Sequence, residues 1–135
     1  MLSGRPSALG GDSRDCQKKE RTVTEYAVVL ITASSQEEAQ KIARTMVEER
    51  LFACANIVSP IQSIYHWQGK ICDDKETLII AKTKKGLFPS VVRRVKELHS
   101  YQVPEVLFLP IAQGSEDYLS WVEAETRGVT GQNDK

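Results

Sequence analysis

The chain has no cysteine pair at the spacing of a metal knuckle or a redox motif. Its 3 cysteines, Cys16, Cys54 and Cys72, are an odd number in a 135-residue chain long enough to bury a core without staples. A disulfide framework is therefore not expected, and free thiols in a reducing, cytoplasmic compartment are the simpler reading. Net charge is equally scarce. Lys plus Arg number 18 and Asp plus Glu 18, so the formal charge of +0 supplies no global pull toward nucleic acid or an anionic membrane. No apolar run reaches the length of a membrane helix or a signal peptide. No nucleophile, base and orienting acid stand out either, since Asp73-Asp74 belongs to a charge run beside a turn, and an enzyme is not expected.

A hydrophobic fraction of 41% against 27% charged suits one compact domain. Residues 1–22, MLSGRPSALGGDSRDCQKKERT, mix Gly, Ser, Pro and charge and read as a disordered arm carrying Cys16. Asp12 and Asp15 are out of character for a mitochondrial transit segment. The domain is expected over 23–127, with 128–135 as a disordered tail.

Within the domain, YAVVLIT (26–32) is a β-branched run of strand length. Ser35 followed by Glu38 forms a capping-box pattern, and Ala39, Ile42, Ala43, Met46 and Val47 recur at helical spacing to about Arg50. Lys41, Arg44, Glu48 and Glu49 mark the solvated face. From Cys54 to Lys84 the chain is β-rich on both sides of Gln68-Gly69-Lys70, which predicts a hairpin. In LFPSVVRRVKELH, Pro89 suits a first helical turn, and Phe88, Val91, Val92, Val95 and Leu98 share a face. EVLFLPI (105–111) reads as a fourth strand, and Ser115 caps a last helix. The order βαββαβ plus a C-terminal helix predicts an α+β, ferredoxin-like sandwich with helices on one sheet face.

Each hairpin strand of about 14 residues would reach ~45 Å at ~3.3 Å per residue, whereas a globule of this size is only ~35 Å across, from a ~13 Å radius of gyration. The hairpin should overhang its core. Carrying Ile64, Tyr65, Trp67 and Ile71, it needs cover from another chain, which predicts a homo-oligomer built around it. Alternation separates Tyr65 and Trp67 from Ile64 and His66. A two-residue turn then puts Cys72 on the Tyr65/Trp67 face and His66 on the other, which speaks against a His/Cys metal site within the hairpin. Cys54, between two alanines, reads as a small buried residue.

An RNA-recognition domain shares the element order, but CDDKETLIIAK offers none of the exposed aromatics that its third strand requires. An effector sensor is a further reading. Lys82, Thr83 and Lys84 run through Lys85 into Gly86 before a helix N-terminus, where backbone N–H groups favour anions, and Tyr101 could face the same cleft.

The strings ERLFACANIVSPIQSIYHWQGKI, LIIAKTK, HSYQVPEVLFLPI and YLSW resemble the CutA family of divalent-cation tolerance proteins, over roughly residues 24–127. The resemblance implies a non-enzymatic homotrimer of ferredoxin-like protomers whose long hairpins wrap their neighbours, with Ile64, Tyr65, Trp67, Tyr118 and Trp121 at the interface. It implies a link to copper or another divalent cation and, in animals, a partnership with acetylcholinesterase, without nucleic acid or membrane insertion. In the family, copper binding goes with a cysteine near the end of strand one and a histidine pair in an HPY motif. Here Ile31 and Leu98 stand at two of those positions, and Ser100 replaces the proline. His99 is left as the metal candidate, with Glu105 as a supporting donor. The other reading of His99 is a helix-end histidine bonded to nearby carbonyls.

Overall fold

Alternation along the first strand decides which side of the sheet carries the core. In the computed structural model, which describes residues 24–129, β1 (Tyr26–Ala33) buries every second residue, Ala27, Val29, Ile31 and Ala33. Helix α1 (Gln36–Glu48) closes that face with Ala39, Ile42, Ala43 and Met46. After it come β2 (Cys54–Trp67), β3 (Lys70–Lys84), a single 3₁₀ turn, α2 (Phe88–Leu98), β4 (Val106–Pro110) and α3 (Glu116–Glu125). The four strands form one antiparallel sheet in the order β2-β3-β1-β4. This is the expected ferredoxin-like topology. Each large side chain fully buried beneath the helices, such as Ile31, Ile42, Phe52 or Ile79, contributes about 1.5–3 kcal/mol by leaving water.

Helix α3 departs from the expectation that all helices share one face. It lies over the end of the opposite face, where Tyr26 Oη donates to Glu123 and Tyr118 Oη is 3.5 Å from Cys54 Sγ. Cys54 is accordingly half-buried rather than a core residue. The rest of that face carries Val58, Leu107 and Leu109 with 44–52% of their surface exposed. Phe88 also lies outside the core and meets Phe108 edge-on, with ring centroids 4.9 Å apart.

The caps are local chemistry. Ser35 Oγ accepts from Glu38 N at 3.1 Å, and Ser115 Oγ accepts from Tyr118 N. The expected box is not closed on Ser35, however. Glu38 Oε1 instead accepts from the N–H and hydroxyl of Ser34, one residue earlier. Glu49, expected on the solvated face, takes a two-pronged bond from Arg94 that ties α1 to α2. Gly128 and Val129, expected in the tail, are among the described residues. Val129 lies against Gly86, where an added Cβ would come within 2.5 Å of its Cγ1. Cys16 and the rest of the arm lie outside the described residues.

The hairpin turns on Gln68 and Gly69 alone, with φ of 51° and 79°, the two positive values that a type I′ turn requires. Cross-strand pairs are Trp67↔Lys70, Tyr65↔Cys72 and His66↔Ile71, so His66 and Cys72 do point apart. β1 pairs with β3 only from Thr77 onward. The pairs from Ile61↔Glu76 to Trp67↔Lys70 form a free two-stranded ribbon, seven pairs long, reaching ~23 Å beyond the sheet at ~3.3 Å per residue. A bulge between Val58 and Ile61, spanning the cis Ser59-Pro60 bond, inserts one extra residue in β2. Before the bulge, odd-numbered β2 residues such as Ile57 share the helix-covered face with Ile79. Beyond it they share the opposite face with Glu76, which carries Tyr65 and Trp67 to that side.

Candidate functional site at the root of the hairpin

The bulge faces Tyr65 and Trp67 toward the loop between α2 and β4, and a groove of about 770 Å³ opens between them. Trp67, Tyr65, Tyr101 and Val103 supply apolar walls, and Glu76 and Glu105 supply carboxylates. Tyr101 Oη donates to Glu76 Oε2, a bond that joins the loop to the root of the ribbon. Burial and this carboxylate hold the Tyr101 phenol well above its ordinary range. Tyr65 Oη donates to Asp74 Oδ2, which together with slight burial raises its phenol to about 12. Burial and the neighbouring charge of Glu76 push the Glu105 carboxyl upward.

His99 stands behind this loop with its side chain entirely buried. Nε2 lies 2.7 Å from Thr32 O and, facing a carbonyl, must carry the proton; Nδ1 accepts from Tyr101 N at 3.1 Å. The ring therefore holds β1, α2 and the loop together, and as placed it has no lone pair left for a metal. The ring bonds to the Thr32 carbonyl of β1 and not to the last carbonyls of its own helix, which was the other reading of this histidine. Glu38 Oε2 lies 3.6 Å from Nδ1 and also accepts from Ser100 N at 2.7 Å. Burial would raise the Glu38 carboxyl, but the Ser34 and Ser100 donors outweigh it and hold it at about 2. Among the described residues, no three His, Cys, Asp or Glu side chains come together to hold a metal ion. His99 and Glu105, expected as metal donors, are not brought together in any such group among the described residues.

The expected anion cleft is not assembled within one chain either. Lys82 Nζ donates to Asn56 Oδ1 at 2.6 Å. Thr83, a neighbour in sequence but on the other side of the sheet, donates to Leu51 O in the core. Lys84 is buried, donates to Arg127 O at 3.0 Å and pairs with Glu123 at 3.1 Å, closing the end of α3. Tyr101 sits at the far end of β3, beside Glu76. Tyr118 and Trp121 lie tilted against each other on exposed α3, ring centroids 5.6 Å apart, and Ile64 is 66% exposed on the ribbon face that carries His66 and Ile71. Glu38 is expected only as a helix cap, and Glu76 is not among the expected site residues. The Ser35/Glu38 spacing is a signal for the first, whereas Glu76 meets Tyr65 only because the bulge carries the outer part of β2 to its face, for which Pro60 is the only hint.

No helix among the described residues is long and apolar enough to cross a membrane. The CutA1 divalent ion tolerance protein family model matches residues 27–125. A divalent-cation tolerance protein CutA of Thermus thermophilus is 52% identical over 99 residues, covering 73% of this chain and 96% of that protein. The human protein CutA is 41% identical over 104 residues, 77% of this chain, which spans only 58% of the human protein's length. A CutA1 crystal structure from Oryza sativa superposes with a TM-score of 0.75 at 40% identity, covering 78% of this chain and 97% of that one. With the ferredoxin-like sheet and the long hairpin in place, the chain belongs to the CutA1 divalent ion tolerance family.

Proposed function

We propose that this protein acts in divalent-cation tolerance as a homotrimer without catalytic activity, and that assembly is the basis of its function. The observation that carries this reading is the ribbon: residues 61–67 and 70–76 pair with one another and with no other described strand, leaving both backbone edges open. Ile64 and Ile71, each 66% exposed, sit on one face of it. A solitary two-stranded ribbon is marginal in water, and open apolar edges invite pairing, so further copies of the chain give it the cover it lacks. Val58, Leu107 and Leu109 on the sheet face extend the apolar surface available to them. Three-fold symmetry is taken from the family resemblance.

The cation in this reading, copper or another divalent ion, is met by donors from more than one chain, because His99 and Glu105 do not form a pair of free donors. Static light scattering tests the assembly. Calorimetric titration of the reduced protein with copper, at the measured oligomer mass, tests the cation. A monomer would remove the basis of the reading, and a trimer that takes up no copper would limit it to assembly.

A further inference from the structure

The assembly proposed above rests on the ribbon and assigns nothing to the helix-covered side of the sheet, where apolar side chains are left uncovered at both ends. At the β2 end, Val47 belongs to the apolar stripe of α1 but stays outside the core, 37% exposed. With Ala43, Ala55 and Ile57 it floors a groove of about 610 Å³ between α1 and β2. Glu37 and Glu48 stand against Lys41 and Arg44 around that floor, so the charges cancel. At the β4 end, Phe88 opens α2 with 43% of its surface exposed, braced edge-on by Phe108. Phe108 pairs with Val29, and Ala55 and Ile57 pair with Ala81 and Ile79, all four partners in the helix-covered core or its first strand, so ridge and groove share one side of the sheet. β2 and β4 are the outer strands, and beside each feature one backbone edge has no partner among the described strands.

We infer that the Phe88 ring of one copy seats in the α1/β2 groove of the next, and that this contact, repeated head to tail, joins the chains of the proposed trimer on their helix-covered side. The inference rests on that assembly and names a contact that the ribbon does not supply. Cancelling charges over an apolar floor suit an uncharged apolar side chain, whereas a small ion of either sign would meet its like charge and few donors. The occupant must also bring an open strand edge if the unpaired β2 backbone is to find partners, and Phe88 stands beside one in β4. Ridge and groove lie at opposite ends of the sheet, three strand spacings apart, or ~14 Å at ~4.8 Å each. One chain therefore cannot fill its own groove. Because the two patches differ, the contact is heterologous, the kind that generates rings when the rotation closes.

Crosslinking tests the contact in the full-length protein carrying Cys16→Ser, Cys54→Ser and Cys72→Ser. Light scattering first gives the mass of the parent and of each variant. Val47→Cys/Phe88→Cys is then treated with a short bismaleimide, beside each single variant and beside Val47→Cys/Lys96→Cys, whose second thiol lies two turns further along α2. Covalent dimers and trimers on denaturing gels are expected from Val47→Cys/Phe88→Cys alone. In the parent chain, Phe88→Ala should raise the concentration of half-dissociation at least tenfold, read at a fixed guanidinium concentration, with helical circular dichroism unchanged. A monomeric parent would remove the assembly and this contact with it. A trimer that yields no covalent multimers, that links equally in the controls, or that dissociates no more readily with Phe88→Ala would overturn the contact and leave the assembly standing.

Discussion

The Nε2–H of His99 donates to the carbonyl oxygen of Thr32 at 2.7 Å, so the residue following α2 is fastened to the penultimate residue of strand β1 before the chain enters the groove loop. The bond is made in the core by a side chain with no exposed surface. An unmet partner there is not compensated by water.

Substitution His99→Ala should therefore act on stability rather than on metal. It strands the Thr32 carbonyl and the Tyr101 N–H and opens a cavity, which costs about 2–4 kcal/mol. At fixed protein concentration the thermal midpoint should drop by on the order of 10 °C, with the copper titration unchanged once corrected for unfolded protein. A variant that keeps its midpoint and loses copper would return His99 to the metal.

Glu38 predicts a particular acid limb. Its folded carboxyl is held at about 2, below the ordinary 4.5, because Ser34 and Ser100 donate to the ionised form. A lowered carboxyl stabilises the fold fully above the ordinary value, and that contribution drains away as pH falls toward about 2. Glu38→Gln should lower the thermal midpoint at pH 7 and flatten its decline between pH 4.5 and 2. A decline as steep as the parent's would contradict the assignment.

At the hairpin turn, both loop residues hold positive φ. Asn accepts that conformation more readily than Gln, and any Cβ at Gly69 is strained there. Gln68→Asn should raise amide-exchange protection in the ribbon, while Gly69→Ala should lower it by about 1 kcal/mol. Equal protection in both variants would mean that neighbouring chains, not the turn, set the ribbon's stability.

Lys84 separates structure from anion binding. Its ammonium closes the end of α3 through Arg127 O and Glu123. Lys84→Met should cost about 1–3 kcal/mol by leaving those acceptors without a cation, with no change in the heat of inorganic phosphate titration. Loss of a phosphate signal with stability intact would revive the effector-sensor reading.

Much of the fold was legible because period and caps are local. The β-branched run, the Ser35 and Ser115 caps and the Gln68-Gly69 turn located β1, α1, α3 and the hairpin. Strand length against globule size anticipated the free ribbon. The site was less legible, since its parts meet only after long-range folding. Alternation alone could have shown Thr83 to face away from Lys82 and Lys84. Nothing local showed that Lys84 would be consumed by α3, that His99 would reach Thr32, or that a bulge at Pro60 would bring Tyr65 and Glu76 to one face.

The most direct test is the mass of the reduced protein in solution by static light scattering, for the parent and for Ile64→Asp/Ile71→Lys, which places charge on the exposed ribbon face without touching the buried core. The parent is expected at three times the chain mass of 15.1 kDa, with the variant shifted toward one chain while keeping its helical circular dichroism. A parent that runs as a folded monomer at micromolar concentration would contradict the account, because the ribbon would then stand uncovered and stable by itself.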